Sequence, residues 1–186
     1  NANMVANEVF IDSATLRENV VALARNIGYV PRSRKAAMAT INFFVDTTSI
    51  TPTPSTITLR KGVVAASTGT FAGQSFVFSI LEDVTVPIFD GIAFFDDLEI
   101  HEGVLLESNF TYSSTNLNQR FILPNSGIDT DLIRVSVKNN QSSTAAAKYS
   151  LQDSLFDINS SSRVYYLQEI EDERYELLFG DGVFGK

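Results

Sequence analysis

The hydrophobic period of this chain changes once, near residue 38, and that change decides what the chain can fold into. Before it, Leu16, Val20, Leu23, Ala24 and Ile27 recur at the spacing of a single helix face. Asp12, Ser13 and Thr15 supply oxygens for the helix start, and Thr15 with Glu18 has capping-box spacing. Gly28 then stops the helix, with Pro31 just beyond. The spacing predicts one amphipathic helix docked through Leu16, Val20, Leu23 and Ile27.

After residue 38 the period becomes two. Residues 39–46 are rich in β-formers and run into a Thr/Pro turn at 47–55. Ile57 and Leu59 alternate with polar neighbours, Val63 and Val64 resume after Gly62, and Phe76, Phe78 and Ile80 share a face. Stretches 83–88, 92–101 and 103–112 continue the series, punctuated by Pro87, Asp90-Gly91 and Glu102-Gly103. Residues 131–138 alternate cleanly, and 163–170 with 174–179 flank the polar turn Glu171-Asp172-Glu173 as a hairpin. About ten short strands predict a mainly β chain, sandwich-like or partly barrelled and antiparallel, with one N-terminal helix. The expected division is 1–38 helical, 39–119 a β domain and 120–186 a β subdomain, with polar loops at 113–119 and 139–144. All three could form one continuous domain.

With 186 residues the chain can bury a core without staples, and it has no cysteine for disulfide or thiolate chemistry. A net charge of −8 argues against nucleic acid or an anionic membrane surface as partner. No apolar run approaches the roughly 18 residues that would span a bilayer. No signal-peptide pattern is present, and a chain that begins without Met and stops directly after a Gly-rich motif is expected to be a fragment of a longer protein.

Residues suited to catalysis are few. His101 is the one histidine, which rules out a His-pair metal site, and it is expected on a strand beside Glu99, facing solvent. A Ser-His-Asp site would have to use it, yet no Gly-x-Ser-x-Gly elbow accompanies it. Carboxylates gather at Asp96-Asp97-Glu99 and at Glu169-Glu171-Asp172-Glu173. A glycosidase pair or a calcium turn would use such groups, but the chain has no Trp to line a sugar cleft and no EF-hand spacing. Solvated turns are the expected reading.

Gly180-Asp181-Gly182-Val183-Phe184-Gly185 fits G-x-G-x-x-G, yet β surroundings suit a tight turn better than a dinucleotide site. Gly180, Gly182 and Gly185 are therefore expected to govern a terminal turn. Sequons at Asn109, Asn140 and Asn159 carry no weight in a Ser/Thr/Asn-rich chain without a secretory signal. Arg32, Arg34 and Lys35 form a small basic patch, expected to make salt bridges or a subunit contact rather than a phosphate site. No catalytic residue, metal ligand or cofactor is expected.

A family resemblance accounts for the segments that lack a chemical reading. Val9 to Glu18 through Leu23-Ala24, then Gly28-Tyr29-Val30-Pro31-Arg32-Ser33 to Ala36-Ala37, resembles the baseplate J-like family of contractile phage tails. Thr58-Leu59-Arg60-Lys61-Gly62 resembles its extended segment ending in a basic residue and Gly. Gln119 to Asn125, Asp129-Thr130 and Leu132 to Val137 are similar to the next segment of T4-like wedge members. Tyr165 to Glu169 and Arg174 to Gly182 resemble the strand pair closing in "FG-DG". The likeness runs in order over nearly the whole chain.

It implies a structural subunit of the baseplate wedge that assembles around the tail tube. The implied partners are other wedge proteins and a second copy of itself, with no nucleic acid and no membrane insertion. It also implies residence in the virion tail baseplate after assembly in the host cytoplasm, and it transfers no catalytic motif. The rival readings are a carbohydrate- or receptor-binding module of a tail fibre, and a glycan hydrolase using Asp96, Asp97 or Glu99.

Overall fold

The computed structural model describes residues 7–10, 12–26, 33–70, 73–116, 118–153, 158–180, 182 and 185. They include the helix α1 (Arg17–Asn26) and eleven strands in two sheets. The contacts divide the chain into two units: Ala36–Glu107, and Asn1–Lys35 together with Ser108–Lys186. This grouping differs from the expected three-part division, because the N-terminal segment joins the C-terminal sheet.

The inserted unit holds β1 (Met38–Asp46), β2 (Thr56–Leu59), β3 (Gly62–Ala66), β4 (Val77–Ile80), β5 (Val84–Phe89) and β6 (Ile92–Glu102). The eleven-residue β6 is its spine. Along one edge of β6 runs β1, antiparallel from Met38↔His101 to Asp46↔Ile92. The other edge is shared: β5 pairs at Ile88↔Ala93 and β4 at Ser79↔His101. The β2–β5 and β3–β4 ribbons therefore leave opposite ends of one edge, and the sheet curls into a half-barrel.

Into that curl point Ile80, Leu98 and Ile100, packed by Ile41, Phe43, Leu59, Val64, Ala65, Phe78 and Val84. Phe43 and Phe95, directly paired across β1 and β6, stack at 4.8 Å between ring centres. A β-bulge makes this possible. Asp96 and Asp97 together oppose Asn42, whose Oδ1 accepts the Asp97 N–H at 2.6 Å. The extra residue shifts the inward set from Ala93 and Phe95 to Leu98 and Ile100. The β5–β6 turn is the Asp90-Gly91 pair, with φ of 49° and 78°, as a two-residue hairpin requires. A Cβ at Gly91 would lie 2.7 Å from Thr48 Cγ2, so glycine is needed there for space as well as for φ.

The discontinuous unit holds β7 (Phe121–Ile122), β8 (Val135–Lys138), β9 (Ala146–Leu151), β10 (Val164–Glu169) and β11 (Tyr175–Phe179), in sheet order β7-β11-β10-β9-β8. Its β10–β11 hairpin is the pair expected at 163–170 and 174–179. The expectation of wholly antiparallel strands fails at one place, since β9 and β10 are parallel. Residues 103–112 were expected as a strand but carry none: Val104 and Leu106 are exposed, and the segment leads from one unit into the other. The first part of 131–138 is a 3-10 turn, Thr130–Leu132, because the Asp129 side chain accepts the Asp131 N–H and caps it. β9 was not anticipated, its run of alanines being a weak β signal.

Candidate functional site

Helix α1 begins one residue after Leu16, which is 48% exposed and so lies off the buried face. The buried positions are Val21 and Ala24, with Val20 and Leu23 half-buried; Ile27 lies outside the described residues. The stripe is thus rotated toward Val21. Glu8 holds the helix start. Its carboxylate accepts from the Thr15 N–H (3.0 Å), the Thr15 hydroxyl (2.7 Å), the Leu16 N–H (3.3 Å) and Asn19 Nδ2 (2.8 Å). Those hydrogen bonds, Asn19's first and then Thr15's, lower its pKa to about 2. A carboxylate at the helix start thus comes from Glu8; the Glu18 side chain of the expected Thr15–Glu18 box lies outside the described ones.

Beside α1, the acidic hairpin tip is not a set of independent solvated carboxylates. Glu169 is buried, and Arg17 donates to its Oε1 through Nε (3.1 Å) and Nη2 (2.9 Å). Glu173 accepts Arg34 at 3.3 Å and lies 4.0 Å from Arg17 Nε. Lys35 pairs with Asp131 at 2.7 Å, while the Ser33 hydroxyl accepts the Thr130 N–H at 2.9 Å. The basic patch expected at 32–35 thus makes local salt bridges through Arg34 and Lys35; Arg32 is outside the described residues. Arg17, Ser33, Arg34, Gly127, Glu173 and Tyr175 line a shallow polar cleft whose charged groups already face each other.

On β11, Glu176 is buried and takes a two-pronged contact from Arg120, Nε to Oε1 at 2.8 Å and Nη2 to Oε2 at 2.6 Å. That contact holds the Glu176 carboxyl below its usual range and raises the Arg120 guanidinium. Nothing in the sequence spacing of 120 and 176 signals this pair. Nearby, Phe179 meets Phe121 and Tyr149 edge-on, at 5.6 and 5.9 Å, tying β7, β11 and β9 together.

His101 was expected to face solvent, but it is 8% exposed, with Nε2 2.9 Å from Glu99 Oε1 on the same strand. Asp96 and Asp97 form the bulge rather than a cleft, and Glu99 is committed to His101. Among the described residues no group of three or more His, Asp or Glu side chains converges as a metal site. In the terminal Gly-rich segment, Gly182 and Gly185 have φ of 87° and 90°, and the Gly182 N–H donates to the Gly185 carbonyl at 3.0 Å. Gly185 is buried against Val164, and its N–H donates to the Asn159 carbonyl at 3.1 Å. Gly180 is half-buried beside it; Asp181, Val183 and Phe184 lie outside the described residues.

Strands cross-linked by ion pairs between distant segments are what the described residues of the helix-bearing unit present. Residues 105–186 match the family described as Bacteriophage baseplate wedge protein gp6, third domain. Over 180 residues the chain is 25% identical to the baseplate wedge protein gp6 of Enterobacteria phage T4, covering 97% of this chain and 26% of that relative. The chain thus spans about a quarter of the relative's length. Both matches are to baseplate wedge proteins of bacteriophages.

Proposed function

We propose that this chain is part of a structural subunit of a contractile phage tail baseplate wedge, where it joins neighbouring wedge proteins around the tail tube. The observation that carries the reading is likeness along 180 residues to a wedge protein, with the family match over 105–186. The geometry supports it: the conspicuous charged residues of the helix-bearing unit, those of the cleft included, brace one segment against another. Other wedge proteins are the proposed partners, together with a second copy of the parent protein. Neither nucleic acid nor a membrane is a partner in this reading, and assembly takes place in the host cytoplasm. The wider kinship with the baseplate J-like family also belongs to the proposal, resting on the segments quoted above. No catalytic turnover or cofactor is part of it.

Electron microscopy of the parent phage labelled with antibody to this chain tests the assignment. Label confined to the tail end distal to the head is expected. Label on the fibres or the capsid, or none on intact or contracted particles, would remove it. Light scattering of the full-length protein beside this chain then reports where self-association resides.

A further inference from the structure

The nine-residue β1 has one edge only in use. It pairs with β6 along its whole length, and among the described residues no strand pairs with its other edge. The free edge can be assigned by parity. Ala37 O accepts from Glu102 N–H and Thr47 N–H donates to Gly91 O, both at 2.8 Å, and the bulge residues sit on β6. Odd-numbered residues of β1 therefore bond to β6, while the N–H and C=O of Met38, Thr40, Asn42, Phe44 and Asp46 face outward.

Protected edges are short or carry Lys or Pro; Met38–Asp46 has neither residue and is long. Apolar cover is incomplete on both faces beside it. Phe44 is 63% exposed, its ring centre 6.2 Å from that of another exposed ring, Phe94. On the opposite face Ile41, Phe43 and Val45 remain half-buried.

Charge identifies what fits. The unit Ala36–Glu107 has nine of the chain's 22 acidic residues and two of its 14 basic ones, Arg60 and Lys61, hence −7 of the total −8. Lys61 is already paired with Glu107. Asp46, Asp96 and Asp97 all lie on β1 or on the β6 stretch paired with it, and that stretch has no Lys or Arg. A second copy would bring −7 against −7.

We propose that the free edge of β1 receives an extended segment of another protein, alternating basic and apolar residues, which continues the sheet with its apolar residues beside Ile41, Phe43 and Val45 and its basic residues on the face that carries Phe44 and Asp46. Main-chain hydrogen bonds would provide attachment and the carboxylates selectivity. This edge is available whatever assembly the chain serves, and a synthetic probe lets the two readings fail separately.

The isotopically labelled chain is titrated with a blocked peptide of alternating Lys and Val, about ten residues to span β1, and with its Glu-Val counterpart. Expected are shifts and slowed amide exchange at residues 40, 42 and 44 with the Lys peptide alone. Thr40→Pro removes one outward N–H without touching the β6 ladder, and should weaken binding about tenfold. If that variant does not fold, Phe44→Ser serves in its place, with loss of similar size from the apolar stems of the lysines that lie on the ring. Equal binding of the Glu peptide, unchanged affinity in the folded variant, or no binding of the Lys peptide overturns the proposal. So does slow exchange of the outward amides in the free chain, or self-association that the variant abolishes.

Discussion

The two units are built from similar strands but held by different forces. In the inserted unit a continuous stretch of chain curls around one apolar cluster, and its charged contacts include Lys61–Glu107, with the short-range His101–Glu99 contact beside them. The discontinuous unit has a near-balanced charge, twelve basic against thirteen acidic residues. It fastens distant sequence segments through Arg17–Glu169, Arg34–Glu173, Lys35–Asp131 and Arg120–Glu176. A local hairpin unit can rely on burial because its strands are neighbours in sequence. A unit whose halves are separated by a 72-residue insertion must specify which segments meet, and directional charge pairs provide that specificity.

The largest expected effect tests whether the units are separately stable. Leu98→Ala empties the centre of the curl, where Leu98 packs with Ile80 and Ile100, and should cost about 2–5 kcal/mol. Hydrogen exchange should show the loss across β1–β6 while β10 and β11 keep their protection. Equal loss in both sheets would mean that the two units unfold together, and the contrast drawn above would have to be abandoned.

Next in size is Gly185→Ala in the other unit. The new Cβ meets Val164 Cγ2 at 2.7 Å and must also accept φ of 90°. A cost of about 1–3 kcal/mol is expected from the backbone alone. Val164→Ala in the same chain should relieve the clash but leave the φ penalty, so a double-mutant cycle should show partial rescue. Full rescue would place the whole effect in the clash; no cost at all would remove the glycine from the turn's requirements.

Most of the strand pattern was legible because it follows from local alternation. The β5–β6 turn, the β10–β11 hairpin and the half-barrel's apolar set all announce themselves in windows of a few residues. What escaped was non-local. The bulge at Asp96-Asp97 looked like an acidic cluster because its partner Asn42 lies 55 residues away. Residues 103–112 alternate like a strand yet find no neighbour, and β9 is a strand only because β8 and β10 flank it. The same applies to charge: nothing in the sequence marks Arg17 for Glu169 or Arg120 for Glu176. The helix stripe was legible in period but rotated in phase, since Leu16 precedes the first turn and Val21 takes the buried place.

Salt sharpens the comparison at smaller amplitude. Arg17→Ala should cost about 1–3 kcal/mol by leaving the buried Glu169 carboxylate without its guanidinium, less than a fully buried pair because Arg17 is half-exposed. Raising ionic strength from about 0.1 to 1 M, which shortens the Debye length from about 10 to 3 Å, should lower the stability of the discontinuous unit more than that of the half-barrel. Denaturant midpoints read from resonances of each unit check this. A larger salt effect on the half-barrel would reverse the proposed division of forces.

The smallest effect concerns the start of α1 and is resolved by pH. Glu8 has a folded pKa of about 2 against an ordinary 4.5, so its ionised form is favoured by the fold. A depressed carboxylate pKa contributes stability that is present above the ordinary value and lost as pH falls through the folded one. The contribution of Glu8 should therefore be complete above about pH 4.5 and decline toward pH 2. Glu8→Gln keeps an oxygen near Thr15 but removes the charge from the helix start, so the variant should fray α1 at neutral pH. Acid should then loosen the parent helix more than the variant's, and the two exchange profiles should converge as pH approaches 2. The half-barrel offers a control in the same titration. Asp46 is also depressed, by hydrogen bonds from the Thr48 N–H and hydroxyl, and Glu8→Gln should leave its titration unmoved. Parallel profiles that never converge would show that Glu8 anchors the helix through shape rather than charge. The ion-pair account of the discontinuous unit would then stop short of its N-terminal end.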